Sequence, residues 1–407
     1  MWVWVSMMNP HRLAYGFAYQ FPFAMIIAIA TLVALVFTKD RKAFPLTSIS
    51  GLMLAFLVWM SITSLFAMQP ADVVYATWIQ VFKTQLMLFV TMLLIRGRKQ
   101  IEQLIWAIVI SIGYFGVKGG IWTLTSGGEN RVWGPPGSFI EGNNELGLAL
   151  TMLLPLMYYL TATTAKRWMR FAMWGSMVAC ALSILGSHSR GAFLAIGVAV
   201  LFLGIKSRRP ILTTTLLSIA LAGAVMLMPG NWLDRMGTIE TYQSDASAVS
   251  RLQTWETIWN MVKDRPVFGA GFDLADDELF RRYSPYPDME SYSPHSIYFQ
   301  VLGEHGFVGL ALFLALGLSI WRRSKKLART CSDQPGLEWV PLLMRMVQVS
   351  LVAFAAGGAF LGLLHYDLPY YLAVIVVLVD ATVTEKRTEP LGRHSRSVPP
   401  SIGARSV

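Results

Sequence analysis

The run VPLLMRMVQVSLVAFAAGGAFLGLL, residues 340–364, is followed after only two residues by DLPYYLAVIVVLVDATVT, residues 367–384. Arg345 is the single charge in the first run. A helix needs about 20 predominantly apolar residues to cross the roughly 30 Å hydrocarbon core of a bilayer. Two such runs with almost nothing between them predict two consecutive membrane-crossing helices. Nine further segments meet the same test: 17–37, 47–68, 75–95, 102–125, 144–164, 170–187, 191–205, 211–228 and 296–320, of which 170–187 and 191–205 are short. Met1 to Met8 is apolar but covers too few residues to cross, and it lacks the basic start and small-residue cleavage site of a signal peptide. It reads as the outer part of a twelfth helix, clipped at the start codon.

Composition agrees. Apolar residues make up 54% of 407 positions and charged residues only 14%, with a mean hydropathy of +0.49. Soluble domains carry about 25% charged residues, so most of this chain has no water to face. The expected fold is an all-α polytopic membrane protein of about twelve transmembrane helices. Residues 1–385 form the membrane domain, and 386–407 form a basic, disordered tail. Cys180 and Cys331, one in an apolar run and one in a basic loop, are too few and too ill-placed for a disulfide framework or a zinc site.

The net charge of +10 invites a nucleic-acid reading, and its distribution refuses it. Lys39, Arg41 and Lys42, then Arg96, Arg98 and Lys99, then Lys166, Arg167 and Arg170, then Lys206, Arg208 and Arg209 fall in every second loop. Arg322, Arg323, Lys325, Lys326 and Arg329 continue the series, and with the tail the set holds 22 of the 34 basic residues. Positive loops stay cytoplasmic. The other side then faces the periplasm of a Gram-negative cell, and the C-terminus stays inside. That outer side carries 229–295, the longest loop, with eleven of the 24 acidic residues. Leu252, Trp255, Ile258, Trp259 and Val262 recur there at helical spacing behind Ser250 as N-cap. Such an amphipathic helix would lie with its aromatic stripe on the membrane domain or in the interface.

Residues able to carry chemistry gather on the same side. His295-Ser296 ends the long loop and opens a helix; Gly306-Phe307-Val308-Gly309 follows nine residues later. The free N–H groups and positive dipole of a helix start suit an anion and disfavour imidazolium, so His295 is placed to accept a proton. From spacing alone, however, His295 and Ser296 read first as a helix cap. Gly306 and Gly309 permit close helix packing in the bilayer. Arg190, in the turn Ser189-Arg190-Gly191, is either a snorkelling residue or an anion ligand. Arg251 and Arg265, at the two ends of the loop helix, are either surface charges paired with Glu256 or Asp264, or planar forks suited to a diphosphate. Arg131, in Asn130-Arg131-Val132-Trp133-Gly134, is a further candidate of that kind. Lys83 and Lys118 fall in the outer halves of predicted spans and Arg345 near an inner end, where each can snorkel. Glu304-His305 reads as a buried structural pair before a proton relay, and Asp276-Asp277-Glu278 as a solvated face. No phosphate-binding loop or metal cluster stands out, and no metal or other cofactor is expected.

The pattern His295-Ser296, nine residues, Gly306-x-x-Gly309 resembles the signature of the bacterial O-antigen ligase family. Ser189-Arg190-Gly191 in an outer turn, the run SRLQTWETIWNMVKDRPVFGAGF at 250–272, and the late long loop resemble the same family. The opening NPHRLAYGFAYQFPFA, residues 9–24, is similar to a subgroup of O-glycosylation ligases associated with exosortase loci. The resemblance implies a GT-C-like helical fold. It also implies a metal-independent, inverting transfer of a polysaccharide from undecaprenyl diphosphate to a sugar hydroxyl of lipid A–core, at the inner membrane. By the same carry-over, His295 would be the base or the acceptor-orienting residue. Arg190 and Arg251 would hold the diphosphate, with Arg265 and Ser296 beside them. An O-antigen polymerase, which lengthens the glycan on its carrier, shares these features; a protein acceptor also stays open. A transporter of lipid-linked sugars comes third, because no inverted repeat is visible.

Overall fold

The computed structural model describes residues 1–38, 43–207, 209–237, 246–286 and 289–388. Among these residues every regular element is a helix. The N-terminal part holds α1 (Trp2–Met8), a 3-10 turn at Pro10–Leu13, α2 (Phe17–Gln20), α3 (Phe23–Phe37), α4 (Ser48–Leu65), α5 (Ala71–Leu94) and α6 (Gly97–Thr125). Next come α7 (Asn143–Thr163), α8 (Arg167–Gly186), α9 (Arg190–Lys206) and α10 (Pro210–Val225). The long loop contains α11 (Gly230–Gly237), α12 (Ala246–Asp264) and α13 (Asp277–Tyr283), and the chain closes with α14 (Ile297–Thr330), α15 (Trp339–Gly358) and α16 (Asp367–Thr388).

Eight of these helices, α4 to α8 and α14 to α16, are long and apolar enough to cross a membrane. The chain is therefore a polytopic helical protein. The remaining predicted spans are shorter helices: α3 has 15 residues, α9 has 17 and α10 has 16. The segment 17–37 is broken at Phe21-Pro22 into α2 and α3, because proline has no N–H to continue a helix. The predicted run 340–364 stops at Gly358, and a non-helical segment follows to Tyr366. The long loop holds three helices among its described residues, and α12 starts before Ser250, so Ser250 is a helix-interior residue and not a cap.

The basic loops share one end of the bundle. Arg96 donates to the Ala43 carbonyl and pairs with Glu385 at 3.4 Å, while Lys386 reaches the Pro335 carbonyl. The basic residues at 39, 41, 42 and 208, and the tail from 389, lie outside the described residues. The core runs through α7, α15 and α16. Residues 368–379 of α16 are all buried, as expected of a helix that is apolar on every side. Small residues bring α6 and α8 together: a Cβ on Gly116 would run into the Cys180 sulfur, and one on Gly120 into the Ala179 carbonyl. Lys83 and Lys118 are exposed and Arg345 is half-buried.

Candidate functional site

The site is built at the end opposite the basic loops, where α12 lies along the front of α14. Ile258, Met261 and Val262 of α12 are buried against Leu302 of α14. The Trp255 ring stacks on Phe299 with centroids 4.9 Å apart, and its Nε1 donates 2.7 Å to the Pro294 carbonyl. Trp259 and Leu252 are exposed, so the predicted stripe divides between packing and surface. This docking brings the N-terminal part of α12 to the start of α14, and with it Arg251 to His295.

His295 has φ 45°, a left-handed backbone that a histidine holds only when its surroundings impose it. Ser296 returns to extended geometry as the N-cap of α14, and its side chain makes no capping bond. The cap reading therefore describes Ser296's position but not its hydroxyl. His295 Nδ1 is buried without a hydrogen-bond partner among the described residues. Burial first, and the Arg251 guanidinium second, hold the His295 pKa below the ordinary value of 6.5. Both effects favour the neutral ring, the form that can accept a proton. The Arg251 charge also acts on Glu145 in the first turn of α7, so groups on three elements lie within its electrostatic reach.

Arg190 is the first residue of α9 rather than part of the turn before it, which is Ser187-His188-Ser189. Ser189 caps α9 by accepting from the Ala192 N–H at 3.2 Å. Asn143, at the start of α7, donates 2.6 Å to the Ser187 carbonyl, and Gly191 sits against Leu361. Gly358 in turn abuts Ile297. The first turns of α7, α9 and α14 thus lie at one end of the bundle, where their N–H groups and dipoles favour anions. Arg190 is half-buried in that setting.

The remaining candidates fall elsewhere. Arg265 lies fourteen residues beyond Arg251 on the same helical run, roughly 21 Å along it at 1.5 Å per residue. Its guanidinium donates to the Phe66 carbonyl, tying the end of α12 to the end of α4. Arg131 is exposed, while its neighbour Val132 points inward and its N–H bonds the Gly186 carbonyl at 2.9 Å. Gly306 is not a helix-packing residue. Its φ of 66° and ψ of −170° break α14, and the segment 266–271 is spliced into the break. Phe307 N donates to Pro266 O at 2.8 Å, Ala270 N to Gly303 O at 2.8 Å, and Gly271 N to Glu304 O at 3.0 Å. A Cβ on Gly306 would strike the Val267 carbonyl, and one on Gly309 the Cβ of His305 across the break.

Below this break lies a group whose assembly is not visible in sequence order. Glu304 accepts from Gln300 Nε2 at 3.0 Å and faces His365 Nε2 at 2.9 Å and His305 Nε2 at 3.6 Å. His305 Nδ1 lies 2.8 Å from Thr63 Oγ1, and the edge of Phe272 meets both imidazoles. The structural reading of Glu304-His305 is the one this geometry favours, with His365 as the missing member. His365 had one signal, its position in the two-residue gap between predicted spans. Glu145 and His188 were also missed; His188 is left-handed at φ 53° and its Nε2 lies 2.8 Å from the Gly128 carbonyl. Among the described residues no group of three or more His, Cys, Asp or Glu is arranged to hold a metal ion.

Residues 175–314 match the family model described as O-antigen ligase, and residues 1–164 match a family of unknown function (DUF5935). No curated protein matches the chain. The first match bears out the resemblance to the O-antigen ligase family, and it spans Arg190, Arg251, Arg265, His295, Ser296, Gly306 and Gly309. Arg131 falls in the other stretch.

Proposed function

We propose that this chain is an O-antigen ligase: a metal-independent, inverting glycosyltransferase that moves a polysaccharide from undecaprenyl diphosphate to a sugar hydroxyl of lipid A–core. The observation that carries the reading is the His295 ring, held toward its neutral form beside Arg251, within the stretch that matches the O-antigen ligase model. In this reading the acceptor hydroxyl gives its proton to His295 as its oxygen attacks the anomeric carbon from the face opposite the diphosphate. The anomeric C–O bond breaks, and the electron pair leaves with the lipid diphosphate. Arg251 and Arg190 stabilise that charge, with the helix starts around them supplying further N–H donors. A diphosphate is already a good leaving group, so fixed cations suffice. Ser296 borders the acceptor; Arg265 and Arg131 stand outside this arrangement.

The architecture that goes with this function has about twelve helices of GT-C-like arrangement in residues 1–385. It sits in the bacterial inner membrane with 229–295 in the periplasm and the tail from 386 in the cytoplasm. The test is transfer by purified protein with undecaprenyl-diphosphate-linked glycan and lipid A–core, in EDTA. Glycan on lipid A–core is the expected product. Longer carrier-linked chains would mean a polymerase, and glycan on an added protein would mean an O-glycosylation ligase. Intact substrates without any product would point to transport.

A further inference from the structure

At the basic end of the bundle, four cationic residues stand on three neighbouring helices, and among the described residues no carboxylate pairs with any of them. The Lys206 ammonium, at the end of α9, lies 5.2 Å from the Phe202 ring centroid and 5.6 Å from that of Trp321 on α14. Trp321, Lys325 and Arg329 follow one another at four-residue intervals and so share a face of α14. Arg345 stands on α15, which packs against both other helices. The charges that act on Lys206 are those of Lys325, Arg345 and Arg329, all of the same sign.

The acidic groups at this end are engaged elsewhere. Glu102 is held by Arg98 and Tyr159, Asp380 by Arg323, and Glu385 by Arg96. Asp333 accepts from Ser332, and Glu338 from the Gly336 N–H. Asp40 and Glu389 lie outside the described residues. Lys325 and Arg329 are exposed and screened by water, but Lys206 and Arg345 are half-buried, and an anion beside them would offset the repulsion that solvent screens least. Arg345 lies six residues beyond the first residue of α15, about 9 Å along the helix, so the anion must reach to that depth. Ile205 and Leu201 of α9 and Leu318 of α14 are exposed beside the cluster and offer an apolar wall for acyl chains.

The geometry points to a binding site, formed by Lys206, Lys325, Arg329 and Arg345, for the phosphodiester headgroup of an anionic phospholipid. Basic pockets between membrane helices take such headgroups, each charge contributing about a five-fold change in binding. The ring contacts of Lys206 hold its ammonium at the membrane edge, where the headgroup phosphate lies.

The test is native mass spectrometry of the full chain, equilibrated with phosphatidylglycerol or cardiolipin against phosphatidylcholine. The wild type is expected to retain the anionic lipids preferentially. Arg345→Gln and Lys206→Gln should each lower retention about five-fold, and Arg345→Lys should keep it. Lys166→Gln, which removes an exposed charge at the same end, should change nothing. Equal retention of zwitterionic and anionic lipid by the wild type would overturn the proposal, as would full retention by Lys206→Gln. Should Arg345→Gln not fold, Lys206→Gln at the helix end still decides. Displacement of bound lipid by millimolar inorganic phosphate would assign the site to a soluble phosphate compound and overturn the lipid assignment.

Discussion

His295 and His305 stand at the two ends of the short front segment of α14, and their surroundings differ in kind. His305 is fully buried, fixed through one ring nitrogen by Thr63, and faces the Glu304 carboxylate. His295 is half-buried on a left-handed backbone, with an arginine for company in place of a carboxylate. Each imidazole keeps one buried ring nitrogen without a hydrogen-bond partner among the described residues. That of His305 faces a carboxylate at 3.6 Å, whereas His295 has a guanidinium nearby that disfavours its charged form. The lesson is that a histidine's role is set by the charge of its neighbours as well as by its hydrogen bonds. The pair can be broken or sharpened by experiment.

The largest effect should come from His295→Ala. Loss of a general base lowers turnover by roughly 10²- to 10⁴-fold, and the thermal midpoint should stay near that of the wild type. Transfer at the wild-type rate would remove His295 from the chemistry. Glu304→Ala should do the reverse. It strands His365 and Gln300, and breaking a buried pair costs about 3–5 kcal/mol, to be read in unfolding of the purified protein. Turnover per folded molecule should be retained; a loss of turnover without a loss of stability would erase the contrast. Gly306→Ala comes next, at roughly 1–3 kcal/mol or more for a side chain in that backbone region, because its Cβ meets the Val267 carbonyl.

The charge on Arg251 tests the comparison through pH. The folded His295 pKa lies below 6.5, so the neutral ring persists as pH falls past that value, and the acid limb of activity should lie below it. In Arg251→Gln one of the two causes is gone, the ring takes up its proton at higher pH, and the acid limb should move upward. The movement is partial, because burial is the larger cause and remains. The smallest effect belongs to Arg265→Ala. It loses its hydrogen bond to Phe66, worth about 1 kcal/mol, and turnover should be unchanged.

Much of the fold was legible because apolar length is a local property. Eight of the eleven predicted runs are helices long and apolar enough to cross a membrane, and the described basic residues at the loop ends share one end of the bundle. Pro22 broke the predicted span 17–37 in two, a local signal that the hydropathy reading outweighed. The site was legible where its members are neighbours in the chain, as at His295-Ser296 and Arg251. Glu304 and His365 are 61 positions apart, and only packing joins them. Gly306-x-x-Gly309 was misread for a different reason. The same spacing serves helix packing and a helix break, and only the backbone angle separates the two. Arg265 reads as a further partner beside Arg251 even though the sequence places the two at opposite ends of one helix, and that helix sets them roughly 21 Å apart.

The uneven helix lengths have a consequence for the surrounding bilayer. With 16 residues α10 is about 24 Å long, less than the roughly 30 Å of hydrocarbon, whereas the 34 residues of α14 exceed it. None of the residues of α10 is buried, so in the proposed twelve-helix arrangement lipid would cover the face of that helix turned away from α9. Bilayers accommodate a short wall by thinning. In that arrangement acyl chains on the α10 flank would be compressed relative to those along α14, and the thickness of the host membrane would become a variable to which this protein responds on one side only.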